Sequence, residues 1–112
     1  MAPHTPSHNR LVDVLPSFAA EIEALLMKAN ELELRAQVPE LKIWDRCGCE
    51  DSFCASFYTQ PKPNGVHGPG HRNVVLEPED GMLILDVVYG RIMQVEALYR
   101  DDIRKVLRSF FP

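Results

Sequence analysis

Apolar residues recur at steps of three and four from Leu15 onward. Phe18, Ile22, Leu25, Leu26, Ala29 and Leu32 therefore share one face of a helix. Glu21, Glu23 and Lys28 lie off that stripe, and Pro16 suits a first helical turn. The pattern predicts a helix over residues 16–37. Asn30 is a candidate break, because asparagine tolerates the left-handed conformation that ends helices. Val38, which precedes Pro39, is biased toward extended backbone.

From Leu41 the period changes. "LKIWDRCGC" and "FCASFYTQ" read as two paired strands with "EDS" between them. "PKPNGVHGPGHR" is a long Pro/Gly-rich loop, of a length that is often functional in a small domain. "NVVLEP", "MLILDVV" and "RIMQVEALY" follow as strands. "DDIRKVLRSFF" closes the chain as a helix, with Ile103, Val106, Leu107 and Phe110 on its apolar stripe. Asp101 is a candidate N-cap, and Arg104, Lys105 and Arg108 lean toward the end of the helix that favours cations.

The last hairpin permits a parity argument. A two-residue turn at Tyr89-Gly90 would set Val87 opposite Ile92 and Leu85 opposite Gln94, mixing apolar and polar residues on each face. A three-residue loop, Val88-Tyr89-Gly90, shifts parity by one. Leu83, Leu85 and Val87 then share an apolar face with Met93, Val95 and Ala97, while Asp86, Gln94 and Glu96 go to the other side. The cleaner face buries more surface, so the three-residue loop is expected. Asp45, Asp86 and Glu96 are expected to be solvated strand carboxylates. The resulting fold class is α+β: an antiparallel sheet of about four to five strands with N-terminal and C-terminal helices packed on one face. Residues 1–9, with His4, His8 and two prolines, are expected to be a disordered tail, and residues 10–112 a single domain.

Composition narrows the function classes. The 112 residues carry a net charge of −4, which argues against a nucleic-acid partner. No stretch approaches the roughly 18–20 apolar residues of a membrane span. The N-terminus lacks the apolar region of a secretory signal. Three cysteines are an odd number, poorly suited to a secreted disulfide scaffold. The expected compartment is the cytoplasm, with reduced thiols.

Candidate chemistry lies in "DRCGCEDSFCASFYT" and "VHGPGH", which supply Cys47, Cys49, Cys54, His67 and His71. Cys47 and Cys49, two apart on a strand, point to one face. Cys54 joins them if the intervening loop holds an even number of residues. A two-residue loop sets Cys47 opposite Cys54, and a four-residue loop sets Cys49 opposite Cys54. The spacing Cys49-x4-Cys54-x12-His67-x3-His71 matches the formal pattern of a two-cysteine, two-histidine zinc finger. That fold needs both histidines on one helix, which the glycines and proline of "VHGPGHR" forbid. A zinc site on another scaffold, using Cys47, Cys49, Cys54, His67 and His71 in some combination, fits the preference of zinc for thiolates and imidazoles. A regulated thiol beside Arg46, or a cysteine nucleophile with His67 or His71 as base, are further options. No phosphate-binding loop or paired-carboxylate motif is present.

"DRCGCEDSFCASFYT", the Pro/Gly loop and "MLILDVVYGRIMQVEAL" together resemble small uncharacterised bacterial proteins with a Cys-Gly-Cys strand. The resemblance spans roughly residues 40–100 and implies a bacterial cytosolic source. It brings no activity and no site residue.

The leading expectation is a small non-enzymatic interaction or regulatory domain whose partner is another protein. "NVVLEP" is a candidate edge strand for a homodimer. The alternative is a zinc-binding domain built on the cysteine hairpin with the two histidines, and the third option is a cysteine-dependent enzyme or redox protein. On the leading reading no cofactor is expected and the core suffices for folding without metal; a zinc ion belongs to the alternative.

Overall fold

The computed structural model describes residues 9–61 and 67–112. Among them the elements run α1 (Leu11–Val14), α2 (Pro16–Lys28), α3 (Leu32–Gln37), a 3-10 turn (Val38–Glu40), β1 (Asp45–Arg46), β2 (Phe57–Tyr58), β3 (His71–Leu76), β4 (Met82–Val88), β5 (Arg91–Leu98) and α4 (Asp101–Phe110). The tail expected over 1–9 lies outside the described residues up to residue 8. Asn9 accepts a hydrogen bond from the Ile43 N–H at 2.6 Å.

The predicted long helix divides at Asn30, which sits in the left-handed region at φ 61°. The Asn30 N–H donates to the Met27 carbonyl and the Glu31 N–H to the Leu26 carbonyl, so the last carbonyls of α2 are satisfied within a Schellman motif. Pro16 occupies the first turn of α2 as expected. Helix α1 adds a turn that the periodicity did not mark, and it buries Leu11 and Val14. At the other end Asp101 is the first residue of α4 rather than its cap; Arg100 holds the cap position without a side-chain cap bond.

The five strands form one antiparallel sheet in the order β1-β2-β5-β4-β3. The two strands expected to carry the cysteines are cut to Asp45–Arg46 and Phe57–Tyr58, so all three cysteines lie outside the ladder. Strand β3 starts two residues earlier than expected, at His71.

The β4–β5 connection corrects the expected loop. Val88 pairs with Arg91, so the turn is Tyr89-Gly90 alone, with both residues at positive φ, 48° and 80°. Such a turn matches the right-handed twist of the strands. The parity shift is supplied instead by a bulge: Val87 pairs with Ile92, but Asp86 pairs with Gln94, leaving Met93 as the extra residue. Ile92, not Met93, therefore joins the core with Val87, Leu85, Leu83, Val95 and Ala97. The Gln37 side chain of α3 clamps this end. It donates to the Gly90 carbonyl at 2.6 Å and accepts from the Ile92 N–H at 3.0 Å.

Two adjacent rows across the sheet show the consequence. Arg46, Phe57, Val95, Leu85 and Val74 are paired in series, and all but Arg46 are buried. The next row, Asp45, Tyr58, Gln94, Asp86 and Asn73, is wholly polar and faces the other way. The apolar rows share one core with Phe18, Ile22 and Leu26 of α2 and with Ile103 and Leu107 of α4. The rings of Phe18 and Phe57 meet edge to face at 6.3 Å. Leu25, expected in the core, is only half-buried at its margin. Arg100 closes the core edge with a bidentate pair to Glu21, both contacts at 2.8 Å. No helix among the described residues is long and apolar enough to cross a membrane.

Leu85 is fully buried at the centre of the apolar rows, whereas Val75 is 66% exposed on β3. Leu85→Ala is expected to cost about 2–5 kcal/mol by opening a cavity. Val75→Ala is expected to stay within about 0.5 kcal/mol. Urea midpoints at unchanged m-values check the pair, and equal losses would show the face assignment to be wrong.

Candidate functional site

The hairpin of β1 and β2 continues past its ladder through the Cys47 N–H, which donates to the Ser56 carbonyl at 2.8 Å. With Asp45 opposite Tyr58 and Arg46 opposite Phe57, the same register sets Cys49 opposite Cys54. This is the four-residue loop of the two even possibilities, with Glu50, Asp51, Ser52 and Phe53 between the cysteines. The Cys54 N–H donates back to the Asp51 carbonyl at 3.2 Å, and Cys54 also bridges Leu98 of β5. The consequence is a cluster: the sulfurs of Cys47, Cys49 and Cys54 all lie within 4.8 Å of one another.

The three thiols are free and half-buried, and they are not equivalent. The Cys49 thiol is pushed up to about 11, chiefly by its hydrogen bond to Cys54. For Cys54, burial pushes the thiol up but is outweighed by hydrogen bonds from the Ser56 hydroxyl and N–H and from the Cys49 and Cys47 thiols, so its value is lowered. The hydrogen bonds among the thiols thus push Cys49 and Cys54 in opposite directions.

The histidines belong to a second group. His67 and His71 stand with their rings 4.7 Å apart, and a ring nitrogen of each lies within 4.8 Å of the other and of an Asp86 carboxylate oxygen. Among the described residues, no cysteine joins them in that group. The structure therefore brings together each half of the Cys/His set expected from the sequence but separates the halves. Tyr58 lies electrostatically between them. Burial raises its phenol, and the charges of Cys47, Glu96, Asp86 and Cys49 push it further.

Asp86 is the residue that sequence reasoning missed. Expected to be solvated, it is 3% exposed. Its Oδ1 accepts from His71 Nε2 at 2.7 Å and from Asn73 Nδ2 at 2.8 Å, while no N–H or hydroxyl reaches its Oδ2. The remaining donor is the Glu96 carboxyl, which hydrogen-bonds to Asp86 and is pushed up to about 7, first by that bond and then by burial. Burial also raises Asp86, but the bonds from Glu96 and His71, the nearby His67 and the Asn73 amide outweigh it and hold its carboxyl low. Glu96 is likewise half-buried rather than solvated; Asp45 is exposed as expected. His67 Nε2 meets Gln94 Oε1 at 3.2 Å. The available signal was the parity argument, which placed Asp86, Gln94 and Glu96 on one face but took that face to be open to water.

No family model matches the chain, and neither a curated protein nor a solved structure shows detectable similarity to it. The thiol group and the histidine–carboxylate group are the chemistry from which a function can be read.

In the metal-free protein Glu96 is protonated well above the ordinary glutamate value of 4.5. The folded state then binds more protons than the unfolded one between 4.5 and about 7, so stability should fall as pH rises through that window. The lowered Asp86 acts oppositely and only below the ordinary 3.8. Denaturant midpoints at about pH 5 and about pH 8 should show this loss in the parent protein and not in Glu96→Gln. An equal pH dependence in both would assign the shift elsewhere.

Proposed function

We propose that the protein is a metal-binding domain whose thiol group, Cys47, Cys49 and Cys54, holds a zinc-like soft divalent cation. The observation that supports this reading is the convergence of three sulfurs within 4.8 Å. Zinc–sulfur bonds of about 2.3 Å in tetrahedral geometry separate neighbouring sulfurs by a little under 4 Å, so a small closure of the hairpin suffices. Three thiolates and a divalent cation sum to one negative charge. Arg46, Arg104 and Arg108 surround the small cavity beside Cys47 and Cys54 and are placed to offset it. The fourth position is left for water or an incoming ligand. None of the three cysteines belongs to the hydrophobic core, which supports binding here as a function rather than a condition of folding.

Cobalt substitution tests the proposal. The parent protein should take up one equivalent of Co(II) with an intense near-ultraviolet thiolate band. Cys49→Ser and Cys54→Ser should each weaken zinc binding by more than the roughly 10–100-fold that loss of an outer-shell partner costs. The metal-free protein should keep its cooperative melt. Absence of the thiolate band, together with a reversible Cys49–Cys54 disulfide, would replace this reading with the redox one.

A different observation favours the interaction reading. Strand β3 is an open edge of the sheet, and its Val75 is exposed. Unpaired edges recruit other strands, and a second copy aligned along β3 would join two sheets into one. Sedimentation equilibrium should then show a dimer that Val75→Lys dissociates. A monomer at all concentrations would remove this option.

A further inference from the structure

We propose that His67, His71 and Asp86 form a second metal site, separate from the thiols, that takes a borderline divalent transition-metal ion through two imidazoles and one carboxylate. Three ligand atoms within 4.8 Å of one another supply the geometry. With bonds of about 2.0–2.2 Å to nitrogen and oxygen, donor atoms sit roughly 3–3.5 Å apart around an ion, so modest side-chain rotation closes the set.

The site is built rather than incidental. The Asp86 side chain is 4% exposed, and its Oδ2 has no donor beyond the proton of the Glu96 carboxyl. A buried carboxylate oxygen in that state gains more from a cation than a solvated one does. Asn73 holds the other oxygen at 2.8 Å, which fixes the carboxylate plane as an outer-shell partner does. His71 opens strand β3, and its position is set by the ladder, where it pairs with Val88. The residues before it are anchored from the turn: the Tyr89 N–H donates to the Gly70 carbonyl at 3.2 Å, and the Tyr89 ring packs where a Gly70 side chain would stand. The contact of 2.7 Å between His71 Nε2 and Asp86 Oδ1 is bridged by a proton. On binding, the ion takes the place of that proton at Nε2, and the neutral ring carries its one proton on Nδ1 instead.

The donor set selects the ligand. Imidazole with carboxylate suits Fe(II), Co(II), Ni(II) and Zn(II). It lacks the thiolates that favour Cu(I) and the all-oxygen shell of Mg(II) and Ca(II). Three protein donors on one side leave the remaining positions to water or to a small ligand that coordinates through oxygen. The two groups thus divide metal chemistry between them, a soft site at one end of the polar face and a borderline site at the other.

The test uses the full chain carrying Cys47→Ser, Cys49→Ser and Cys54→Ser, which removes the thiol donors and separates this proposal from the preceding one. Titration with Co(II), followed by calorimetry and by weak visible absorption, should give one equivalent without a thiolate band. Co(II) should broaden or shift the side-chain signals of His67, His71 and Asn73, and leave those of His4 and His8 unchanged. His67→Ala and His71→Ala on this background should each lower affinity at least ten-fold while circular dichroism and melting stay native. Asp86→Asn should do the same, and the His67 variant decides if the Asp86 variant does not fold. Binding that survives both histidine variants, binding that shifts His4 and His8 instead, or no binding by the folded triple variant would each overturn the proposal.

Discussion

The one-residue bulge at Met93 is the constraint on which the arrangement of the sheet depends. A tight Tyr89-Gly90 turn and an uninterrupted ladder cannot both place Leu85 opposite Val95 and Val87 opposite Ile92. By absorbing one residue, β5 keeps the apolar partners together on both sides of the interruption. The strands then alternate cleanly, and Asp86, Gln94 and Glu96 are delivered to the face away from the helices. Gln37 stabilises the interruption from outside the sheet, accepting the Ile92 N–H beside the bulge and bonding the turn carbonyl. A helix end, a turn and a bulge are thereby joined into one unit.

The polar face differs from an ordinary solvated side of a sheet. Asp86 sits on the second strand from the edge, flanked by Asn73 on β3 and Gln94 on β5, with His71 and His67 packed beside it. Asp86 itself is buried although His71 and Asn73 beside it are exposed, and its charge is shared with its neighbours. The Asp86–Glu96 pair does so through a proton.

Much of this was legible in the sequence. The period of 3.6 found α2 and α4, and asparagine at position 30 marked the break between α2 and α3. The period of two found β4 and β5 and sorted their faces, even though the parity shift was assigned to the turn instead of the bulge. Both devices move side chains by one position, and hydrophobic pattern alone cannot distinguish them. The convergence of Cys47, Cys49 and Cys54 followed from strand parity once the loop length was even. Asp86 and Glu96 were missed for a different reason. A polar residue on an outward face reads as solvated, and its burial depends on His67 and His71 packing over it from a segment without periodicity. The partition of cysteines from histidines was equally invisible, since it depends on β5 and β4 lying between β2 and β3 in the sheet.

Strands β1 and β2 contribute only two residues each to the ladder, so the thiol hairpin hangs on few backbone bonds of its own. Its main attachment is to β5, through bonds such as Ala55 N–H to the Ala97 carbonyl and Tyr99 N–H to the Phe53 carbonyl. Arg46 adds a tie to the chain end, its Nε donating to the Phe111 carbonyl at 2.6 Å just beyond α4. Fraying of the last turn of α4 therefore removes one of the hairpin's ties and leaves those to β5 in place. A cation bound across the sulfurs would steady Arg46 beside them and so give the far end of the chain a report on whether they are occupied.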